Sequence, residues 1–535
     1  YFLSAVLFLM IFVGKAQNAP VNRGLESLTP EFIQAQLEFL SSDWLEGREA
    51  GERGGYMAGD YIRSLFKMSG TKPFGDPDVF TPNRYQKLLG AKENHFTSYF
   101  EPFFVTEIKP STNHQLWIKY NDNDRTISYN CQTDFAVVPL ETSISLNAPV
   151  VFVGYGLTDK SSGYDDFAGI QVKGKIIVRL AGFPGQHDTT SVAWQNFKKL
   201  DKSTLIEKKN ELAQKLGAVA ILEFDPSVLS KKLAANVPFR FNEAMYEGDS
   251  RPESFYDRRM VLPGMKKNQI PLISVSEKVF NEFLSPSGLS YAKFEGTAAQ
   301  LKQNSFDLKK INAGFNLTAN TRALQLRNVL GIIEGEKPDE FIVVGGHYDH
   351  LGKHNGFIWN GADDNGSGAI AVTSIAKAFN ETGMKPKRSI IFACWDGEER
   401  GELGSSYFVD HFNKIGQVKA YLNFDMIGRN SGPDAPNNQV ALLYSKSAEY
   451  LADLTREQLK QANINLNINY SPMENPAGGS DNTAFALKNV PMFWYHTGGH
   501  TDYHQASDHA ELINWAKMTD IIKLSFLSVW KLSNE

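Results

Sequence analysis

Three short runs concentrate the groups that could hold a metal ion or move a proton: Gly345-Gly346-His347-Tyr348-Asp349-His350, Gly361-Ala362-Asp363-Asp364-Asn365-Gly366 and Trp395-Asp396-Gly397-Glu398-Glu399. Each comes where an apolar run should end as a strand, so imidazoles and carboxylates from separate strands can converge at one edge of a sheet. Asp425, the pair Tyr503-His504, and Asp508 repeat the pattern further along. Two histidines with several carboxylates form a borderline-hard donor set suited to Zn²⁺, with more acids than one ion needs. Two metals bridged by one carboxylate fit better: such a pair, about 3.5 to 4 Å apart, acidifies a bound water and polarises a carbonyl oxygen, as amide hydrolysis requires.

Such a site needs strands that end together. After Asn328-Val329-Leu330-Gly331-Ile332-Ile333 the chain alternates strand and helix patterns, the mark of a largely parallel sheet covered on both faces. Strands are expected at 341–344, 389–394, 419–424, 440–444 and 490–495, with helices at 369–379 and 510–532. The fold class is therefore α/β, a mixed and largely parallel sheet sandwiched by helices. Upstream, Thr29-Pro30-Glu31 opens a helix through Ile33, Leu37 and Leu40, and a second helical pattern runs through Tyr61, Ile62 and Phe66 to Gly70. Residues 71–94, rich in Pro, Gly and charge, read as a surface loop. From Ala148 short β-rich runs punctuated by Gly take over, among them Gly174-Lys175-Ile176-Ile177-Val178 and Gly217-Ala218-Val219-Ala220-Ile221-Leu222. Residues 226–263, with Phe239, Phe241, Tyr246, Phe255 and Tyr256, read as a long insertion that overhangs the site.

With 535 residues, 42% hydrophobic and 12% aromatic, the chain can bury a large core in more than one domain. A net charge of -5 gives no basic field, which argues against a nucleic-acid partner. Cys131 and Cys394 are too few and too far apart for a disulfide framework and read as free thiols. The run from Tyr1 to Gly14 is uncharged and almost wholly apolar, and it reads as the core of a secretory signal spanning 1–17, cleaved after Ala16. An uncleaved N-terminal anchor is the competing reading. Export to the cell envelope or medium follows, with no stable membrane span after cleavage.

The ordered set His347-Tyr348-Asp349, Gly361 to Gly368, Glu398-Glu399, Asn423 to Arg429 and Asp502-Tyr503-His504 resembles the M28 family of co-catalytic zinc peptidases. Asp43 to Gly47 is similar to that family's N-terminal stretch, and the Gly-punctuated β-runs resemble a protease-associated lid domain. The resemblance implies a signal (1–17), an N-terminal part of the peptidase domain (18–142), an inserted lid (143–280) and the main peptidase domain (281–535). It implies two zinc ions, one held by His347, Asp364 and Asp425 and the other by Asp364, Glu399 and His504, with Asp364 rather than Asp363 as the bridge. Asp349 is expected to accept the other N–H of His347, and Asp508 to orient His504. Glu398 is implied as general base and Tyr503 as donor to the oxyanion. His350, His354, His496, His500 and His509 are expected to support ligands or line the substrate site rather than coordinate. Gly479-Ser480-Asp481-Asn482 departs from the family's more usual Gly-Ser-Asp-His run. The implied activity is a secreted exopeptidase acting on peptides, an aminopeptidase first and a carboxypeptidase or dipeptidase second. A receptor-like protein on an inactive peptidase scaffold is the reading from a different class.

Overall fold

The computed structural model describes residues 19–137, 140–199, 202–226, 251–264, 270–302, 305–432 and 434–535. The expected signal segment, Phe239, Phe241 and Tyr246 lie outside the described residues. Among these no helix is long and apolar enough to cross a membrane.

The main unit is built on a mixed sheet. Its main path is formed by β1 (Phe100–Lys109), β2 (Arg259–Val261), β3 (Asn320–Ile333), β4 (Lys337–His347), β5 (Arg388–Trp395), β6 (Val418–Phe424), β7 (Gln439–Ser445), β8 (Asn467–Met473) and β9 (Met492–His496), and the short Lys72–Pro73 pairs with β3 off this path. The nine lie in the order β2-β1-β3-β5-β4-β6-β9-β7-β8. β4 runs parallel to β5 and β6, and β6 parallel to β9, so four neighbouring strands deliver their carboxyl ends to the same edge. Ile342, Val343 and Val344 in β4 are fully buried, as a central strand covered on both faces requires.

Helices α1 (Pro30–Leu40), α2 (Arg53–Met68), α3 (Gly368–Thr382), α5 (Tyr450–Ala462) and α6 (Trp515–Asn534) pack one face of the sheet. α4 (Leu403–His411) and the short helix Asn482–Leu487 pack the other through Phe408 and Phe485. α1 starts as its sequence dictates: Thr29 caps it, its hydroxyl accepting the Phe32 N–H at 3.2 Å, with Pro30 in the first turn. The segment 71–94 holds more structure than a loop. Pro77–Phe80 pairs with Asn94–Thr97, and between them Arg84–Leu88 is closed by a capping box of Asn83 and Gln86. These elements are almost wholly exposed and too short for a hydrophobic period, so composition alone hides them.

A second sheet of eight strands has its own core. Ile144–Phe152, Ile176–Leu180, Ala220–Phe224 and Leu272–Val275 run parallel at its centre. Gln115–Tyr120 and Phe306–Leu317 also join it, so the sheet reaches beyond 143–280 at both ends. A strap, 251–262, leaves this unit and returns to the main one, where β2 pairs with β1. Both cysteines are free thiols, Cys394 buried and Cys131 half-buried.

Candidate metal centre and active site

The carboxyl edge of the parallel strands carries the chemistry. His347 is the last residue of β4, Asp425 follows β6, Glu398 and Glu399 lie just past β5, and Tyr503 and His504 sit on the loop after β9. Asp364 comes from the turn between Gly361 and α3. Gly361 has φ 52°, and a Cβ there would lie 2.1 Å from the Asp364 carbonyl oxygen and 2.4 Å from the His350 ring, so only glycine lets the turn present Asp364.

Asp364 stands between two donor groups. Its Oδ1 is 3.5 Å from His347 Nε2, and its Oδ2 is 3.1 Å from His504 Nε2 and 3.9 Å from His350 Nδ1. On one side, His347, Asp364 and Asp425 bring ligand atoms within 4.8 Å of one another; on the other, His350, Asp364 and Glu399 do the same. His504 Nε2 also lies 3.5 Å from Glu399 Oε2. Asp363 faces elsewhere: its Oδ1 accepts the Gly428 N–H at 2.5 Å, and its Oδ2 is 3.3 Å from His500 Nε2.

Two expected support contacts take a different form. His347 Nδ1 donates to the backbone carbonyl of Asp349 at 3.2 Å rather than to its carboxylate, whose nearer oxygen is 3.7 Å away. That bond turns Nε2 toward Asp364, at 3.5 Å, and Asp425, at 3.7 Å. The Asp349 carboxylate instead accepts the Glu398 N–H at 3.0 Å and so fixes the turn carrying that residue. Asp508, expected at His504, accepts the N–H groups of Asp363 at 3.0 Å and Asp364 at 3.1 Å, while the Trp359 indole holds the His504 carbonyl at 3.0 Å. An Asp at either place serves the backbone because a peptide N–H buried in a tight turn needs an acceptor.

The remaining histidines are engaged as supports. His354 donates to Leu351 O, His496 to Asp425 O, and His509 Nδ1 accepts from Asn360. His350 stands closer to the metal donors than expected: its Nδ1 is 2.9 Å from Glu399 Oε1, and its buried Nε2 has no hydrogen-bond partner among the described residues. Sequence reasoning also passed over Arg48. Its buried guanidinium donates to the carbonyls of Tyr348, Leu40, Asn360 and Gly361, and so ties together the loops that carry Asp349 and Asp364.

Electrostatics follow from crowding. Burial opposes charge on His347, but Glu398, Asp425 and Asp364 outweigh it and hold its pKa well above the ordinary value. Burial, aided by Glu399 and Asp425, raises Glu398 well above the usual carboxylate range. Glu399 is buried too, yet His504 and His350 draw it below its ordinary value. Burial and then the surrounding carboxylates push Tyr503 upward, so its O–H stays protonated. Glu402, on the same wall, is pushed up to about 7 by burial.

A cavity of about 400 Å³ covers these groups, lined among others by Arg251, Glu398, Glu402, Asp425, Trp494 and Tyr503. A larger one of about 830 Å³ beside Arg429, Asn437 and Lys517 meets none of the metal donors, so the smaller is where chemistry can occur. Buried carboxylates in this number are costly unless a cation is coordinated. The close-set imidazole and carboxylate atoms, two groups of three within 4.8 Å, fit zinc.

Fold and site together set a group of metal donors at the carboxyl edge of a parallel sheet. Residues 328–528 match the family described as Peptidase family M28. It is similar to Glutamate carboxypeptidase 2 homolog of Caenorhabditis elegans, 27% identical over 326 residues, covering 54% of this chain and 38% of the relative. It is also similar to Leucine aminopeptidase 2 of Arthroderma otae, 28% identical over 227 residues, covering 41% of this chain and 42% of the relative. The chain thus spans about two fifths of the length of these curated relatives. The solved aminopeptidase from Aneurinibacillus sp. strain AM-1 has the same fold, with a TM-score of 0.53, 16% identity and 96% of each chain covered.

Proposed function

We propose that the protein is an exported di-zinc exopeptidase that removes residues from the amino end of peptides. The observation that supports this most is the placement of Asp364, one oxygen toward His347 and the other toward His504. His347, Asp364 and Asp425 would hold one zinc, and Asp364, Glu399 and His504 the other, with His350 orienting Glu399 through its Nδ1–H. Zinc, when bound, acidifies water and polarises the scissile carbonyl.

The chain's own groups do the rest. Glu398 stands on the cavity wall, its Oε2 3.7 Å from His347 Nε2 and in no ion pair with a lysine or arginine among the described residues, and takes the proton of the attacking water before passing it to the leaving amine. Its raised pKa suits both halves of that transfer. Tyr503 donates its O–H to the oxygen that gains charge. The second sheet and its strap act as the lid of a protease-associated domain and shape the cavity through Arg251.

Arg251 also supports the second reading, a carboxypeptidase, since a guanidinium on the cavity wall is suited to a substrate carboxylate. Cleavage of one peptide with both ends free, with the amino end blocked, and with the carboxyl end blocked tests the choice. Loss of cleavage only on amino blocking is expected. Cleavage that survives amino blocking and stops on carboxyl blocking would establish the carboxypeptidase.

A further inference from the structure

The cavity holds one carboxylate that the chemistry above does not use. Glu402 follows Glu398 by about one turn, its N–H donating to the Glu398 carbonyl at 2.8 Å. It stands at the start of α4 with φ 57°, a left-handed backbone that costs a non-glycine residue about 1 kcal/mol. The Thr483 hydroxyl donates to its Oε1 at 3.0 Å and fixes the carboxylate plane, while Oε2 has no hydrogen-bond partner among the described residues. Among those residues no lysine or arginine forms an ion pair with it. Glu402 is tied to Glu398, whose carboxylate lies 3.7 Å from His347, whereas Arg251 lies 3.9 Å from Glu399 Oε2. The cavity is thus polarised, with an oriented carboxylate on the His347 side of Asp364 and a guanidinium on the other.

We propose that Glu402 is the anchor for the free α-ammonium of the substrate. This rests on the aminopeptidase reading and gives it a specificity group. An ammonium offers three donors to a carboxylate on the cavity wall, one of whose oxygens has no partner among the described residues, a charge-assisted contact that an acylated amine cannot make. Arg251 repels the same cation, so the amino end is directed to the Glu402 side and the chain extends away from it. Thr483 is a positioning residue, since it touches Glu402 and not the substrate.

The test is a binding titration, followed by NMR, of 3-methylbutylamine against the uncharged 3-methyl-1-butanol. Both probes are added to the full-length zinc-loaded protein and to its Glu402→Gln, Glu402→Asp and Thr483→Val variants. The wild type should prefer the amine by about 10- to 100-fold, the worth of a hydrogen bond to a charged group. Glu402→Gln should lose that preference with alcohol binding unchanged, Glu402→Asp should recover part of it, and Thr483→Val should weaken it. Absence of an amine preference in the wild type, or a preference kept in Glu402→Gln, overturns the assignment. Peptide cleavage measured alongside separates the two claims. An amine preference that depends on Glu402 in a protein that cleaves no peptide removes the peptidase reading alone. Equal kcat/KM for wild type and Glu402→Gln on free-amine peptides removes the Glu402 assignment alone.

Discussion

Replacing Arg48 with methionine should loosen the two loops that carry Asp349 and Asp364 at once. The guanidinium is fully buried, and it donates to Tyr348 O at 2.7 Å, Leu40 O at 3.0 Å, Asn360 O at 2.6 Å and Gly361 O at 2.8 Å. Hydrogen bonds to a charged group are worth about 1.5–3 kcal/mol each, so the set amounts to roughly 6–12 kcal/mol before desolvation. Desolvation takes much of this back: burial lowers the Arg48 pKa to about 10, although Asp349, Asp364, Asp508 and Glu399 all favour its charge. The net loss on deleting one side of such a buried array is about 3–5 kcal/mol, since the stranded carbonyls stay buried. At about 2–4 °C per kcal/mol for a unit of this size, melting should fall by about 6–20 °C. Arg48→Lys should fall in between, because a compact ammonium cannot reach carbonyls in several directions. Thermal unfolding, with zinc content measured on the same samples, checks this. An Arg48→Met protein that melts within about 2 °C of wild type and keeps its zinc would refute the reasoning.

His504→Ala should lose zinc from the second position, while His350→Ala should keep zinc with affinity lowered about 10- to 100-fold, as for a group that orients a ligand; metal analysis on both variants checks this, and the reverse order would make His350 the ligand. Lys209 is fully buried against Leu180 O and Gly182 O, and burial lowers its pKa from 10.5 to about 7. The unfolded chain therefore binds the extra proton between these values, and stability must rise with pH across that window. Melting of the wild type should climb between pH 7 and about pH 9.5 more steeply than that of Lys209→Met, and parallel curves would contradict the assignment.

Much of this site was legible because its donors follow strand patterns strong enough to read. His347, Glu398, Glu399 and Asp425 each come after a buried apolar run, and parallel pairing of β4, β5 and β6 brings their ends together. What escaped was the support layer. Whether Asp349 serves His347 through its carbonyl or its carboxylate depends on the turn it makes, and no residue spacing encodes that. Asp508 and Arg48 bind backbone groups far away in the chain, from Asp363 for one and from Asn360 for the other, so neither contact leaves a local pattern. Arg48 is only one charge among several after α1, beside Asp43, Glu46, Glu49 and Glu52, and its partners are set only by the packed fold. The second sheet outran its expected limits for a similar reason. Phe306–Leu317 alternates weakly and joins it by antiparallel pairing with Ile144–Phe152, a contact more than 150 residues apart in the chain.

The central claim is a two-zinc site in which Glu398 moves the proton. Zinc content and peptide hydrolysis measured together on purified wild type and Glu398→Gln test it most directly. Two zinc ions per chain in both proteins are expected, with hydrolysis of a free-amine peptide lowered by about 10²- to 10⁴-fold in the variant. A wild type that binds no zinc, or a zinc-loaded Glu398→Gln that hydrolyses the peptide at the wild-type rate, would contradict it.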